Sequence, residues 1–212
     1  MVSLLSSLFL GWLLGMRHAL EPDHLAALTV LMARRGGRRG PALLGAVWGL
    51  GHTVALLVVG CVLAVVDQKL PFRLAQAFEL LVGLMLLILG GRAVARAAFS
   101  RGGTPDRPAG GPWFRQPLIV GVIHGLAGSG ALTALVLARL PTVAARICYI
   151  ALFGLGSVAG MACLTGLAGW PLARFDGEGR LARRLSVVTG AGSLLLGTFW
   201  GWSALRGLLH GD

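Results

Sequence analysis

The chain has 212 residues, 56% of them hydrophobic and 13% charged, with a mean hydropathy of +0.79. That balance excludes an ordinary soluble domain and points to an integral, all-α membrane protein. The net charge of +11 does not mark a nucleic-acid binder, because the cations fall between the apolar segments and not along one amphipathic face or tail.

Six apolar segments approach the roughly 20 residues that cross hydrocarbon, at 3–31, 41–66, 74–98, 117–138, 143–170 and 185–208. The first has no basic residue ahead of its apolar run and no convincing cleavage site, so it is read as a retained span and not a leader. Within it, GMRHALEPDHL (Gly15 to Leu25) carries His18, Glu21, Asp23 and His24. One charged side chain at the centre of a membrane helix costs roughly 2.5 to 3.5 kcal/mol, so this set calls for a compensating partner, and a divalent cation suits it. On an unbroken helix His18 and His24 would point about 120° apart and be displaced by roughly 9 Å. Pro22 denies the His18 carbonyl its amide partner and disfavours helical geometry at Glu21, which predicts that the first helix breaks near Pro22. The opened turn is expected to bring His18, Asp23 and His24 together, with the freed His18 carbonyl as a further ligand. Arg17 is expected to pair with Glu21 or to point elsewhere.

The second span contributes His52, in WGLGH, either as a ligand or as a hydrogen-bonding residue between helices. In the third, Glu79 reads as an interfacial charge. Residues 100–116, rich in Gly, Pro and Arg, read as a flexible cytoplasmic linker that divides the chain into 1–99 and 117–212. The fourth span holds His124 and Ser129 and the fifth Ser157. These, with Glu21, are candidates for the surroundings of the site or the ion's path, and equally for plain helix packing. Cys61, Cys148 and Cys163 show no CxxC spacing and read as small packing residues.

The halves resemble each other. Gly15, His18 and Leu20 recur as Gly121, His124 and Leu126; Trp48 to His52 recurs as Phe153 to Ser157; Leu80 to Gly90 lines up with Val187 to Gly197. Three consecutive spans thus repeat at offsets of 106, 105 and 107 residues. With an odd number of spans in each half, the second half enters the bilayer in the opposite sense, which predicts two inverted three-helix repeats and six transmembrane helices. Arginines concentrate after the first, third and fifth spans, as in Arg34, Arg35, Arg38 and Arg39. The positive-inside rule then places those connections in the cytoplasm and both termini outside.

Imidazole with carboxylate suits nickel, cobalt, zinc or copper over magnesium or calcium. RHALEPDHL, residues 17–25, resembles the RHAxDADHI signature of the nickel/cobalt transporter family, matching it at His18, Asp23 and His24. GLGHTVALL, around His52, resembles that family's GHSTVV segment, and HGLAGSGAL, from His124, is similar to its six-span, urease-accessory, nickel-permease-like branch. Glu21 and Pro22 depart from the signature, which has Asp and Ala there. The resemblance implies a secondary transporter in the cytoplasmic membrane, carrying nickel or cobalt at His18, Asp23, His24 and His52, with nickel-handling proteins as cytoplasmic partners. The ion is substrate, not a resident cofactor, and the chain is expected to be no enzyme. Efflux is the alternative to uptake; a linker without histidine tilts the reading to uptake. An intramembrane serine protease using Ser129 is the weaker alternative, since His124 sits five residues away on the same helix.

Overall fold

The computed structural model describes residues 4–33, 40–99, 112–174 and 180–211. The helices are α1 (Leu4–His18), α2 (Pro22–Ala33), α3 (Pro41–Val66), α4 (Phe72–Phe99), α5 (Arg115–Arg139), α6 (Val143–Arg174) and α7 (Arg180–His210). Four of them, α3, α4, α6 and α7, contain stretches long and apolar enough to cross a membrane. The first expected span coincides with α1 and α2 together, and the fourth with α5. The arginines at 34–39 and residues 100–111 of the expected linker lie outside the described residues, and its last two positions, 115–116, belong to α5.

The break between α1 and α2 falls at Pro22, but it is a tight turn and not an opened one. Leu20 N–H bonds to Arg17 O at 2.9 Å and Glu21 N–H to His18 O at 3.1 Å. The expectation that Pro22 frees the His18 carbonyl for a ligand is therefore corrected: the amide of Glu21, one residue closer, takes the place of the missing proline N–H. Pro22 then serves as the first residue of α2, where its fixed φ is favourable and its missing N–H is not needed. α3 likewise starts on a proline, Pro41, and ends at Asp67, which adopts the left-handed conformation (φ 53°) while its N–H bonds to Leu63 O.

α3 is the central helix and packs on both α5 and α6; α1 packs on α6, α4 on α7, α2 on α7 and α5 on α4. Glycines let backbones touch at these crossings. A β-carbon on Gly15 would collide with Phe153 O, one on Gly51 with Leu118 O, one on Gly121 with Trp48 O, and one on Gly156 with Trp12 O. Small residues of this kind replace the hydrophobic effect as the source of tight packing between helices in lipid. The outer surface is apolar. On α3, Val54, Val58, Val62 and Val65 form an exposed stripe, and Ile88, Leu195 and Phe199 extend the apolar surface on α4 and α7, as hydrocarbon contact requires.

At one end of the bundle Arg146 of α6 is buried. Its Nε donates to Leu140 O (2.9 Å) and its Nη1 to Asp67 Oδ1 (2.6 Å) and Ala64 O (3.4 Å). Those carbonyls lie at the C-terminal ends of α5 and α3, where the helix supplies no partner and a cation is favoured. Arg146 is a fastener of three helix ends.

The glycine crossings generate a direct test. Gly121→Ala places a methyl group on the Trp48 carbonyl and is expected to lower the thermal unfolding midpoint in detergent. Gly192→Ala, where a β-carbon meets nothing within 4 Å, is expected to hold or raise the midpoint, because helix propensity adds up to about 1 kcal/mol of stability.

Candidate metal centre

The turn at 19–21 changes the geometry that a straight helix would impose. His18 at the end of α1 and His24 in the first turn of α2 face each other with ring centroids 4.5 Å apart. α3 delivers His52 to the same place, 5.1 Å from the His18 ring and 5.3 Å from that of His24. α5 adds His124, 4.8 Å from His24. His24, His52 and His124 are buried, and His18 is nearly so.

The nitrogens divide into two kinds. His18 Nδ1 pairs with Glu21 Oε1 at 2.9 Å, and His24 Nδ1 with Asp23 Oδ1 at 3.1 Å. Asp23 Oδ1 also accepts the backbone N–H of His24 at 3.0 Å. A neutral imidazole whose Nδ1–H donates to a carboxylate keeps its lone pair on Nε2, the arrangement by which carboxylates orient metal-binding histidines. Nε2 of His18, Nε2 of His24 and both ring nitrogens of His52 and of His124 are buried with no hydrogen-bond partner among the described residues. Leaving such a group unpaired costs about 1 to 3 kcal/mol, and a bound cation would recover it for the nitrogens that carry a lone pair, one on each imidazole.

Potential ligand atoms form two groups, each with its members within 4.8 Å of one another: His18, His24 and His52, and Asp23, His24 and His124. The four expected ligands are thus brought close, but Asp23 is not grouped with His18 and His52. His124, expected only near the site, has potential ligand atoms in the second group. Glu21 orients His18. Arg17 is exposed, and Glu21 is engaged with His18 instead. Ser157 is buried but its hydroxyl donates to Phe153 O of its own helix at 3.0 Å. The side chain of Ser129 lies outside the described residues.

Three residues that sequence reading gave no part at the site border it. Trp48 packs its ring on His24 (5.4 Å) and edge-on to His124 (5.7 Å), and Phe153 packs on His18 (5.3 Å). Their place in the repeat beside His52 and Ser157 was the available signal. Gly128 faces the cluster directly: a β-carbon there would stand 3.8 Å from His18 Nε2 and 3.8 Å from His52 Cε1. It lies in the HGLAGSGAL segment that carries the family resemblance, but sequence reading gave it no role of its own.

Fold and site together define a multi-pass helical membrane protein with a buried cluster of imidazoles on a broken helix. Over 207 residues the chain is 32% identical to the urease accessory protein UreH of Bacillus sp. (strain TB-90), covering 92% of this chain and 90% of that protein. The chain belongs to the UreH family, whose named relative is an accessory protein and not the enzyme, in line with the expectation that this chain is no enzyme. It is also 28% identical to the chloroplast proteins FOR GROWTH AND FERTILITY 1 and 2 of Arabidopsis thaliana, matching 78% and 76% of this chain but only about half of each relative (50% and 46%). No protein-family model and no solved structure matches the chain.

The unpartnered nitrogens make a prediction that does not depend on transport. Nickel at about 100 times its dissociation constant should stabilise the detergent-purified chain by about 2.7 kcal/mol, read as a rise in the thermal unfolding midpoint. His24→Ala should abolish the rise, and Cys163→Ser, at an exposed position, should leave it unchanged.

Proposed function

We propose that the chain is a secondary transporter that takes up a divalent transition-metal ion, nickel with cobalt as a second substrate, across the cytoplasmic membrane by alternating access around the imidazole cluster. The observation that carries this reading is the convergence of His18, His24 and His52 from three helices, with the Nδ1 atoms of His18 and His24 held by carboxylates and their Nε2 atoms free. Three imidazoles form a donor set of borderline softness, suited to nickel, cobalt or zinc. Urease is a nickel enzyme, and a relative named as its accessory protein favours nickel among these.

The packing supports an inverted repeat of 1–99 and 117–212. Exchanging the halves turns the Gly15 contact with Phe153 into the Gly121 contact with Trp48, and the Gly51 contact with Leu118 into the Gly156 contact with Trp12. The hydrogen bond from Ser193 Oγ to Leu86 O (3.0 Å) joins positions 107 residues apart, so the exchange returns the same pair of positions. The exchange also turns packing of α1 on α6 into packing of α5 on α3. A frame of this kind can rock about a central site, facing one side and then the other. With the arginine-rich connections in the cytoplasm, an inward-negative potential favours entry of a dication by about 4.6 kcal/mol per 100 mV.

The test is accumulation of radiolabelled nickel in cells at matched membrane abundance of each variant. Wild type is expected to exceed empty vector, with uptake lost in His18→Ala and His52→Ala. Gly128→Val should block it as well, because its side chain fills the space beside His18 Nε2 while every donor stays in place. At subsaturating nickel, uptake should fall as external pH is lowered, since protons compete with the ion for the ligand nitrogens. Accumulation equal to empty vector would sink the transport reading; accumulation below it would reverse the direction.

A further inference from the structure

The potential ligand atoms form two triads that share one residue, His24. We propose that the transported ion occupies two alternative positions in turn, one at His18, His24 and His52 and the other at Asp23, His24 and His124, so that His24 hands the ion across the repeat interface. This rests on the reading that a divalent metal is the cargo.

Repeat and geometry support the second position independently. At the offset of 106 that aligns His18 with His124, the places of Asp23 and His24 are taken by Ser129 and Gly130. The second half therefore keeps its histidine but lacks the ligand pair that follows it. His124 finds that pair across the interface: its Nε2 stands 3.6 Å from Asp23 Oδ2, and its ring 4.8 Å from His24. His124 is buried, and neither ring nitrogen has a hydrogen-bond partner among the described residues. Asp23 presents Oδ1 to His24 and Oδ2 to His124.

The two positions exclude each other. They share one imidazole, and two dications repel with four times the energy of two unit charges at the same separation. They also differ in chemistry, since the first is all nitrogen and the second includes a carboxylate oxygen that offsets one of the ion's charges. If the repeats are inverted, His18 and His124 lie on opposite sides of the axis that relates them, so passage between the positions carries the ion across it.

The test combines nickel equilibrium dialysis and nickel-edge X-ray absorption on the detergent-purified full chain with nickel flux into proteoliposomes. Wild type should bind one nickel per chain. His52→Ala should still bind one, with fewer imidazoles and a carboxylate in the coordination spectrum, because the ion settles at the second position. His124→Ala should keep the wild-type spectrum and bind within about threefold of wild type, because the first position is intact, yet lose about tenfold or more of the flux, at least the loss seen when even residues behind the ligands are removed. His124→Gln serves the same comparison if the alanine variant is not monodisperse. Two nickel ions per wild-type chain, or wild-type flux in the His124 variants, overturns the two positions and leaves the transport reading standing. Wild type that neither binds nor moves nickel overturns that reading, and this inference with it.

Discussion

The constraint on which the rest of the structure depends is the burial of imidazole nitrogens that have no hydrogen-bond partner among the described residues. Polar groups taken out of water are nearly always paired, yet His18, His24, His52 and His124 bring six unpartnered ring nitrogens to one place. Several features of the chain bear on this single arrangement. The tight turn before Pro22 folds His24 back over His18, glycines at the crossings let α3 and α5 approach closely enough to add His52 and His124, and Trp48 and Phe153 cover the rings.

The surroundings of the site are more regular than its contents. Trp48 lies on His124 and Phe153 on His18, and each contact becomes the other when the halves are exchanged. The donors do not follow that regularity, since Asp23 and His24 have no counterparts in the second half. Paired surroundings with Asp23 and His24 supplied once fit the proposal of a site that serves one ion at a time.

Much of this was legible in the sequence because it depends on local spacing. The bounds of α3 match the apolar run 41–66, and the break at Pro22 follows from what proline lacks. What spacing does not encode is which helices become neighbours and which atoms of a side chain turn toward them. Hence the division of the donors into two triads and the closeness of Gly128 to the cluster appear only in three dimensions, whereas Glu21, three residues from His18, was already a candidate for the surroundings of the site. The His18 carbonyl shows the limit even for a local argument: the backbone had a second amide within reach, that of Glu21, and used it.

Arg146 has a mechanical consequence. One guanidinium bolts the C-terminal ends of α3 and α5 to α6, so these three helices cannot slide past one another without breaking hydrogen bonds to Asp67, Ala64 and Leu140. His52 rides on α3 and His124 on α5, which makes their separation part of a stiff chassis. His18, Asp23 and His24 ride on α1 and α2, outside that fastening and joined by three residues of turn. The short turn from Ala19 to Glu21 therefore sets the separation of His18 and His24, as the Arg146 fastening sets that of His52 and His124.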